Sequence, residues 1–124
     1  MPPSPKKRKK AEQFGRLGEL LAALYLRCLF YRIRATRVKT PAGEIDLVAS
    51  RGSLLVFVEV KTRRSGQNLE DALMAVNTRR IVQAAQHYLM RNPSLGAHDI
   101  RFDVIFLAPG ALPRHLRNAF QDGS

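Results

Sequence analysis

Cysteine is almost absent from this chain of 124 residues, in which Cys28 is the only one. A single cysteine excludes an intramolecular disulfide and a zinc site built from cysteines. Such a chain is typical of a reducing, intracellular setting. The three histidines also lack metal-ligand spacing and are interpreted as surface or packed residues: His87, His98 and His115.

Long apolar runs and aromatic residues are scarce as well. Tryptophan is missing and aromatic residues make up 7% of the chain, which argues against a stacking platform for single-stranded nucleic acid. No stretch is long enough to span a bilayer. Glu19 interrupts the apolar run at residues 17–26, and no cleavage site follows, so this run is not interpreted as a signal peptide. We therefore expect a soluble, cytoplasmic protein with no membrane partner.

Acidic residues are outnumbered by basic ones. Ten aspartates and glutamates stand against 21 lysines and arginines, and the formal net charge is +11. Residues 6–10 (Lys-Lys-Arg-Lys-Lys) supply five of these charges, which leaves +6 on the remainder. A basic surface binds polyanions, because contact with phosphates releases counterions. Residues 1–10 are predicted to be a disordered basic tail, and residues 11–124 to form a single domain.

The stretch around which the chain is organised is residues 43–63, with the sequence GEIDLVASRGSLLVFVEVKTR. Two apolar, β-branched runs flank a Ser-Arg-Gly-Ser segment whose composition is typical of a tight hairpin turn. Ionisable residues interrupt both runs at even spacing: Glu44 and Asp46 in the first, Glu59 and Lys61 in the second. Since side chains alternate along a strand, each pair lies on one face of its own strand.

The register of the hairpin decides whether the two pairs meet. With a loop of two residues (51–52) or four (50–53), Glu44 faces Glu59, and Asp46 and Glu59 are diagonal neighbours on one side of the hairpin. An odd loop without a bulge places them on opposite faces.

Carboxylates that share one side of a strand pair repel each other, and a divalent cation removes that repulsion. Oxygen ligands favour Mg²⁺ or Mn²⁺. Lys61, two residues beyond Glu59, projects into the same space, where an ammonium group suits a phosphate oxygen or an attacking water. These residues leave open an alternative, a solvated edge hairpin with a Glu–Lys ion pair across the strands.

Four further segments precede or follow this hairpin in the expected domain. The region 11–30 has the pattern of a helix that is apolar nearly all round and well buried, with Phe14, Leu17, Leu21, Leu24 and Cys28 forming one stripe and Glu19 heading a second. Residues 31–40 predict a strand with a bulge or a ragged edge, because the apolar alternation changes parity at Val38. The basic residues of this strand, Arg37 among them, are interpreted as pointing to solvent or to a ligand backbone. Helices are predicted at 68–76 and at 79–91, the second capped by Asn77-Thr78.

The C-terminal part is predicted to return to the sheet. Residues 100–108 form a nearly continuous apolar run, typical of a central strand buried on both faces. Residues 113–120 predict a terminal strand or a helical turn. Asp103, within the apolar run, is interpreted as a structural residue that hydrogen-bonds the Arg101 side chain or a neighbouring loop.

Together, Glu19 on a preceding helix, Asp46, and Glu59-Val60-Lys61 resemble the active-site pattern of the PD-(D/E)XK nuclease superfamily. More narrowly, three segments resemble the YraN-like family of uncharacterised bacterial proteins, which is similar to archaeal Holliday junction resolvases: GEIDL at 43–47, FVEVK at 57–61 and RFDV at 101–104. The likeness runs from about residue 14 to residue 120. Without it, Glu19 reads as a first-turn carboxylate favoured by the helix dipole.

The resemblance implies an α/β fold with a restriction-endonuclease-like α-β-β-β-α-β core, in which helices flank a mixed central sheet. It implies a magnesium-dependent endonuclease whose expected substrate is branched or structured DNA in preference to RNA. Asp46 and Glu59 would bind Mg²⁺ or Mn²⁺, with the Val60 carbonyl as a further ligand, and Glu19 would bind directly or through water. Lys61 would orient or activate water. Resolvases of this kind act as dimers, which implies a homodimer.

Four arginines near the predicted helices are expected to hold the nucleic-acid backbone: Arg63, Arg64, Arg79 and Arg80. In the resembled family this segment is longer and often contains a lysine, whereas Arg79-Arg80 stand here. Two alternatives to a nuclease stay open at this point. One is a non-catalytic nucleic-acid-binding protein that keeps a nuclease-like fold, and the other is an adaptor whose basic surface contacts an acidic partner.

Overall fold

In the part of the chain that the structure describes, five strands form one mixed sheet with a helix on each face. A computed structural model describes residues 5–62 and 76–120, and side chains from Gly15 onwards within those ranges. The elements in chain order are α1 (Pro5–Cys28), β1 (Arg32–Thr40), β2 (Gly43–Arg51), β3 (Leu54–Thr62), α2 (Thr78–Arg91), a short 3₁₀ helix (Pro93–Leu95), β4 (Asp99–Leu107) and β5 (Arg114–Phe120). The predicted fold class is thereby confirmed, and the last segment is a strand rather than a helical turn.

The sheet has the strand order β1-β2-β3-β4-β5. Neighbouring strands are antiparallel except β3 and β4, which run parallel. A parallel pair needs a crossover connection, and α2 lies within it. Strand β4 is buried from Phe102 to Leu107, as its apolar run predicts, because it lies between β3 and β5 with a helix over each face.

The two faces of the sheet carry separate cores. One contains Leu47, Val58 and Ile105 and packs against Ala22, Ala23 and Leu26 of α1. We call the face that carries it the α1 side. The opposite face, the α2 side, is covered by Ile81, Val82, Ala84 and Ala85 of α2 and includes Val48, Phe57 and Phe106. The predicted cap of α2 is confirmed, since the Asn77 side chain accepts a hydrogen bond from the Arg80 N–H.

Helix α1 departs from the prediction in two respects. It includes residues 5–10, although these were predicted to be disordered. Lysine and arginine, which make up most of this segment, are good helix formers. The expectation that α1 is buried nearly all round is wrong. One stripe faces solvent, with Leu17, Leu20, Leu21 and Leu24 each 47–68% exposed and Cys28 also exposed. A single helix laid on a sheet buries only one face, and the stripe with Ala22 and Leu26 took that place.

The register of the β2–β3 hairpin differs from the predicted one by two residues. The turn is Gly52-Ser53, and the ladder runs from Arg51↔Leu54 to Leu47↔Val58. Gly52 has a φ of 59°, a region that glycine enters without steric cost. Continued by one pair, this register sets Asp46 opposite Glu59 rather than opposite Phe57. A shift by an even number keeps the side chains of the paired residues, 47–51 and 54–58, on the faces that alternation predicts.

Candidate active site

Strands β2 and β3 stop pairing through their backbones at the point where the acidic residues begin. Beyond Leu47↔Val58, the Asp46 carboxylate takes over as acceptor, and its Oδ2 receives a hydrogen bond of 2.8 Å from the Val60 N–H. Ile45 packs on the α2 side and Leu47 on the α1 side, although residues two apart in a strand normally share a face. The pleat is therefore interrupted at Asp46.

The same interruption appears in the neighbouring strand. The β1–β2 register pairs Thr36 with Leu47 and Val38 with Ile45, so Arg37 lies across from Asp46. Arg37 has a φ of 51°, which a non-glycine residue adopts at a cost of about 1–2 kcal/mol. A bulge lies between Ile33 and Ala35, ahead of the position near Val38 at which the change of parity predicted an irregularity.

Three carboxylates come together at this interruption. Oxygens of Glu19, Glu44 and Asp46 lie within 4.8 Å of one another, and all three side chains are half-buried. We call this group the acidic cluster. Glu19 reaches it from α1 and the other two from β2. The structure thus joins two of the predicted metal ligands, Glu19 and Asp46. It adds Glu44, which sequence reasoning noted as ionisable but did not assign to the site.

Glu59 is not part of the acidic cluster. It is 5% exposed, and its Oε1 lies 3.6 Å from the Lys61 Nζ and 3.7 Å from an Nη of Arg80. The predicted proximity of Glu59 and Lys61 is therefore present, and Arg80 is a second cation beside the same oxygen. Arg80 also donates a hydrogen bond of 3.1 Å to the Glu44 carbonyl. Gly43, with a φ of 139°, leaves room for it, since a Cβ there would meet Arg80 atoms at 2.7 Å.

Burial makes ionisation unfavourable for three carboxyl groups of this region, those of Asp46, Glu59 and Glu19. Burial raises the pKa of Asp46 above its ordinary value, although the Val60 N–H and the Lys61 charge oppose that rise. Burial, then the charge of Asp46, raises the pKa of Glu59 to about 7. Burial also raises the pKa of Glu19, against the ion pair with Arg37. A bound cation would reverse these costs, because it favours the charged form of every carboxylate near it.

The metal-free protein is expected to lose stability as pH rises from about 4.5 to 7. In that window an unfolded Glu59, with an ordinary pKa of 4.5, releases its proton while the folded one retains it. The stability from this group is complete below pH 4.5 and is lost through pH 7, a total of about 3 kcal/mol. Chemical denaturation with a chelator at pH 5 and pH 8 measures it. Glu59→Gln should show a smaller loss, and equal losses in both proteins would contradict the assignment.

Arg37 is a second residue of the site, besides Glu44, that the sequence did not assign to it. Its Nε donates to Glu19 Oε2 at 2.7 Å, so it holds one member of the acidic cluster in place. The sequence placed Arg37 among several basic residues of a strand, with no sign of its partner on α1. Only its change of parity, near Val38, marked the backbone irregularity that turns it toward α1.

The predicted backbone-binding arginines have different positions. Arg63 and Arg64 lie outside the described residues, as does the helix predicted at 68–76. Arg79 is exposed at the start of α2, where it is accessible to a nucleic acid. Arg80 instead points at Glu59 and the Glu44 carbonyl, so it belongs to the site itself.

A second polar group is buried at β4 and β5, away from the acidic cluster. Asp103 is fully buried and is gripped by Arg101 at 2.7 and 2.8 Å, by His115 at 2.6 Å and by the Asn118 N–H at 2.9 Å. The Tyr25 hydroxyl of α1 lies 3.2 Å from the other ring nitrogen of His115. The predicted contact between Asp103 and Arg101 is confirmed, and its role is structural, because it ties three elements together.

Comparison with known proteins places this site within a family of bacterial sequences. The model described as "Uncharacterised protein family UPF0102" matches residues 18–107, a range that contains the acidic cluster, Glu59 and Lys61. A UPF0102 protein of Erythrobacter litoralis is 49% identical over 115 residues, covering 93% of this chain and 98% of the relative. One of Rhodopseudomonas palustris (strain HaA2) is 48% identical over 122 residues, covering 96% and 92%. One of Parvibaculum lavamentivorans is 47% identical over 111 residues, covering 90% and 84%.

Proposed function

This chain belongs to the UPF0102 family, the YraN-like proteins, and on that premise we propose that it is a metal-dependent endonuclease of the PD-(D/E)XK type that hydrolyses phosphodiester bonds in DNA. One observation carries the proposal. Where the backbone pairing of β2 and β3 ends, the Asp46 carboxylate lies in a group of half-buried carboxylates. Glu59 and Lys61 follow on β3, the adjoining strand.

The residues present fit Mg²⁺ or Mn²⁺. All donors of the acidic cluster are carboxylate oxygens, which these ions prefer. Oxygens on opposite sides of a magnesium ion are about 4.2 Å apart. The separations of up to 4.8 Å therefore need only small side-chain movements to close around an ion. Asp46 and Glu19 would hold it with Glu44 as a further ligand, whereas Glu59, which was predicted to bind the ion together with Asp46, lies outside the acidic cluster.

The metal would supply Lewis acidity and charge neutralisation at the phosphoryl group. The chain's own residues would do the rest. Lys61, held near Glu59 by their ion pair, would orient the attacking water and stabilise charge on the phosphate oxygens. Arg80 would hold the end of the hairpin through the Glu44 carbonyl and keep Glu59 in place. Asp46 would be fixed by the hydrogen bond from the Val60 N–H to its Oδ2, which leaves its other oxygen as the one to bind the ion.

The charge of the chain supports DNA as the partner. With +11 in total, of which +6 lies outside residues 6–10, the protein would bind a phosphate backbone in a salt-dependent manner. A preference for branched or structured DNA comes from the resemblance to archaeal Holliday junction resolvases. The single cysteine accords with work in the reducing cytoplasm. In the described part of the chain, no helix is long and apolar enough to cross a membrane.

A second candidate is a non-catalytic nucleic-acid-binding protein with a nuclease-like fold. The observation that favours it is the pairing of Glu59 with two cations, Lys61 and Arg80, which neutralise this carboxylate without a metal. Titration with Mg²⁺ or Mn²⁺ separates the candidates. A chain that binds DNA in a salt-sensitive way but has no affinity for either ion would be the binding protein.

Cleavage of a DNA panel tests the proposal directly. Duplex, single-stranded, flap and four-way-junction DNAs are incubated with manganese and with wild type, Lys61→Ala or Lys39→Ala. We expect wild type to cut at least one substrate and Lys61→Ala to cut it about 10²–10³-fold more slowly, since it loses the charge beside the phosphate. Lys39, an exposed lysine of β1, is the matched control and should leave the rate unchanged.

Two results of the panel would count against the proposal. The first is a wild type that cuts none of the four substrates with either metal. The second is a Lys61→Ala variant that cuts as fast as Lys39→Ala, because the lysine would then have no part in the chemistry.

A further inference from the structure

A groove between α1 and β1 adjoins the acidic cluster on the α1 side of the sheet. Its volume is about 330 Å³, and it is lined by Arg16, Glu19, Leu20, Ala23, Thr36 and Arg37. Glu19 belongs to both the groove and the acidic cluster, so a molecule in the groove would lie next to the proposed metal site. Of the arginines expected to hold nucleic acid, the two that the structure describes, Arg79 and Arg80, do not line this groove.

The backbone of β1 is distorted so that Arg37 lines this groove. Thr36 and Arg37 are consecutive, yet both line it, while Val38 packs in the core on the α2 side. Regular alternation would place Thr36 and Arg37 on opposite faces. The φ of 51° at Arg37 is what brings its guanidinium to the α1 side. Strained backbone conformations are concentrated at functional sites, so the conformation of Arg37 next to the candidate active site indicates a function for this residue.

The guanidinium of Arg37 has N–H donors beyond the one that its ion pair with Glu19 uses. Its Nε donates to Glu19, while neither Nη has a hydrogen-bond acceptor among the described residues. The side chain is 38% exposed, so these groups are accessible to a ligand. Arginine presents five N–H donors in a planar fork that matches phosphate oxygens. Arg16 adds a second positive charge to the wall, and Leu20 and Ala23 form an apolar side that suits a sugar ring.

We propose that Arg37, assisted by Arg16, binds the DNA phosphodiester that neighbours the cleaved one, with its deoxyribose against Leu20 and Ala23. This inference rests on the proposed function and extends it, because it sets the path of the DNA strand between α1 and β1. It assigns the groove to the substrate and makes Arg37 a binding residue in addition to a partner of Glu19.

Metal and phosphate should bind this region cooperatively. Without an ion, Glu19 neutralises Arg37, and Glu44 and Asp46 add negative charge that repels a phosphate. A divalent ion at the acidic cluster attracts the Glu19 carboxylate, so Glu19 neutralises less of the positive charge of Arg37. More of that charge then attracts the phosphate. The contribution of Arg37 to DNA binding should therefore be large with a divalent ion and small with a chelator.

Binding of a short fluorescein-labelled DNA duplex tests the inference without a cleavage readout. Anisotropy is measured for the full chain over a range of salt, in calcium and in EDTA, for wild type, Arg37→Met, Arg37→Gly and Arg32→Met. In calcium we expect both Arg37 variants to bind about tenfold more weakly, with a salt slope lower by about one. Arg37→Gly keeps the positive φ, so its effect cannot be ascribed to backbone damage. Arg32→Met, at an exposed arginine of the same strand, is the control.

A second measurement identifies the phosphate. Single methylphosphonate substitutions remove one backbone charge at a time from the duplex. One position should weaken wild type about tenfold and leave Arg37→Met unaffected, which is the signature of a direct contact. Salt slopes of the Arg37 variants equal to that of Arg32→Met, or no such position, would overturn the inference while DNA binding by wild type stands. A wild type that binds no DNA would overturn both the inference and the proposed function.

Discussion

Asp46→Asn is expected to abolish metal-dependent cleavage, with a fall in rate of about 10³-fold or more. Asp46 is the member of the acidic cluster that the sheet itself holds, through the hydrogen bond from Val60 to its Oδ2. An amide oxygen can still accept that bond, so the strands should keep their geometry. What is lost is a negatively charged ligand, and loss of metal charge at a phosphoryl group costs several kcal/mol of transition-state stabilisation.

The variant separates catalysis from folding. The raised pKa of Asp46 shows that its charge is unfavourable in the metal-free fold, so Asp46→Asn should be at least as stable as wild type in a chelator. Its affinity for Mn²⁺ should fall, whereas its affinity for DNA in EDTA should change little. Asp99→Asn, at an exposed aspartate at the start of β4, is the matched control. Cleavage by Asp46→Asn at the rate of Asp99→Asn would remove Asp46 from the mechanism.

Asp103→Asn is expected to reduce the free energy of unfolding by about 3–5 kcal/mol. The wild-type carboxylate is fully buried and forms hydrogen bonds with Arg101, with His115 and with the Asn118 N–H at the same time. An amide fills the same space but carries no charge, so Arg101 keeps a partly buried positive charge without its counter-ion. Thermal denaturation should show a fall in melting temperature of more than about 10 °C.

The pH dependence gives this prediction a second test. Burial raises the pKa of Asp103, but hydrogen bonds from His115, Arg101 and Asn118 outweigh it, and the net pKa lies below the ordinary value of 3.8. The stabilisation is therefore present above pH 3.8 and is lost as pH falls through the lower, folded value. Asp103→Asn should lack this acid-side loss. A variant as stable as Asp99→Asn at pH 7 would show that the network contributes nothing to the fold.

Much of the site could be predicted from the sequence because side chains along a strand alternate between the two faces of the sheet with a period of two. Asp46 and Glu59 were assigned to one side of the hairpin from their spacing alone. The actual register differs by two residues, an even shift that keeps the paired residues on their predicted faces, but regular alternation ends at Asp46, where the carboxylate leaves the ladder. Glu19 was different, because nothing in α1 itself relates it to β2. Its place in the site came from the family resemblance, and the acidic cluster bears out its proximity to Asp46.

By itself, the sequence determined the mixed α/β fold, the central hairpin, the buried β4 strand and the basic surface, because these follow from local periodicity and composition. Tertiary structure decided which stripe of α1 meets the sheet, that Glu44 joins the acidic cluster, that Arg37 pairs with Glu19, and that Glu59 pairs with Arg80. Such contacts join residues far apart in the chain. They depend on where a strand leaves its ladder and how a helix is rotated, and neither is encoded by the spacing of residues within one element.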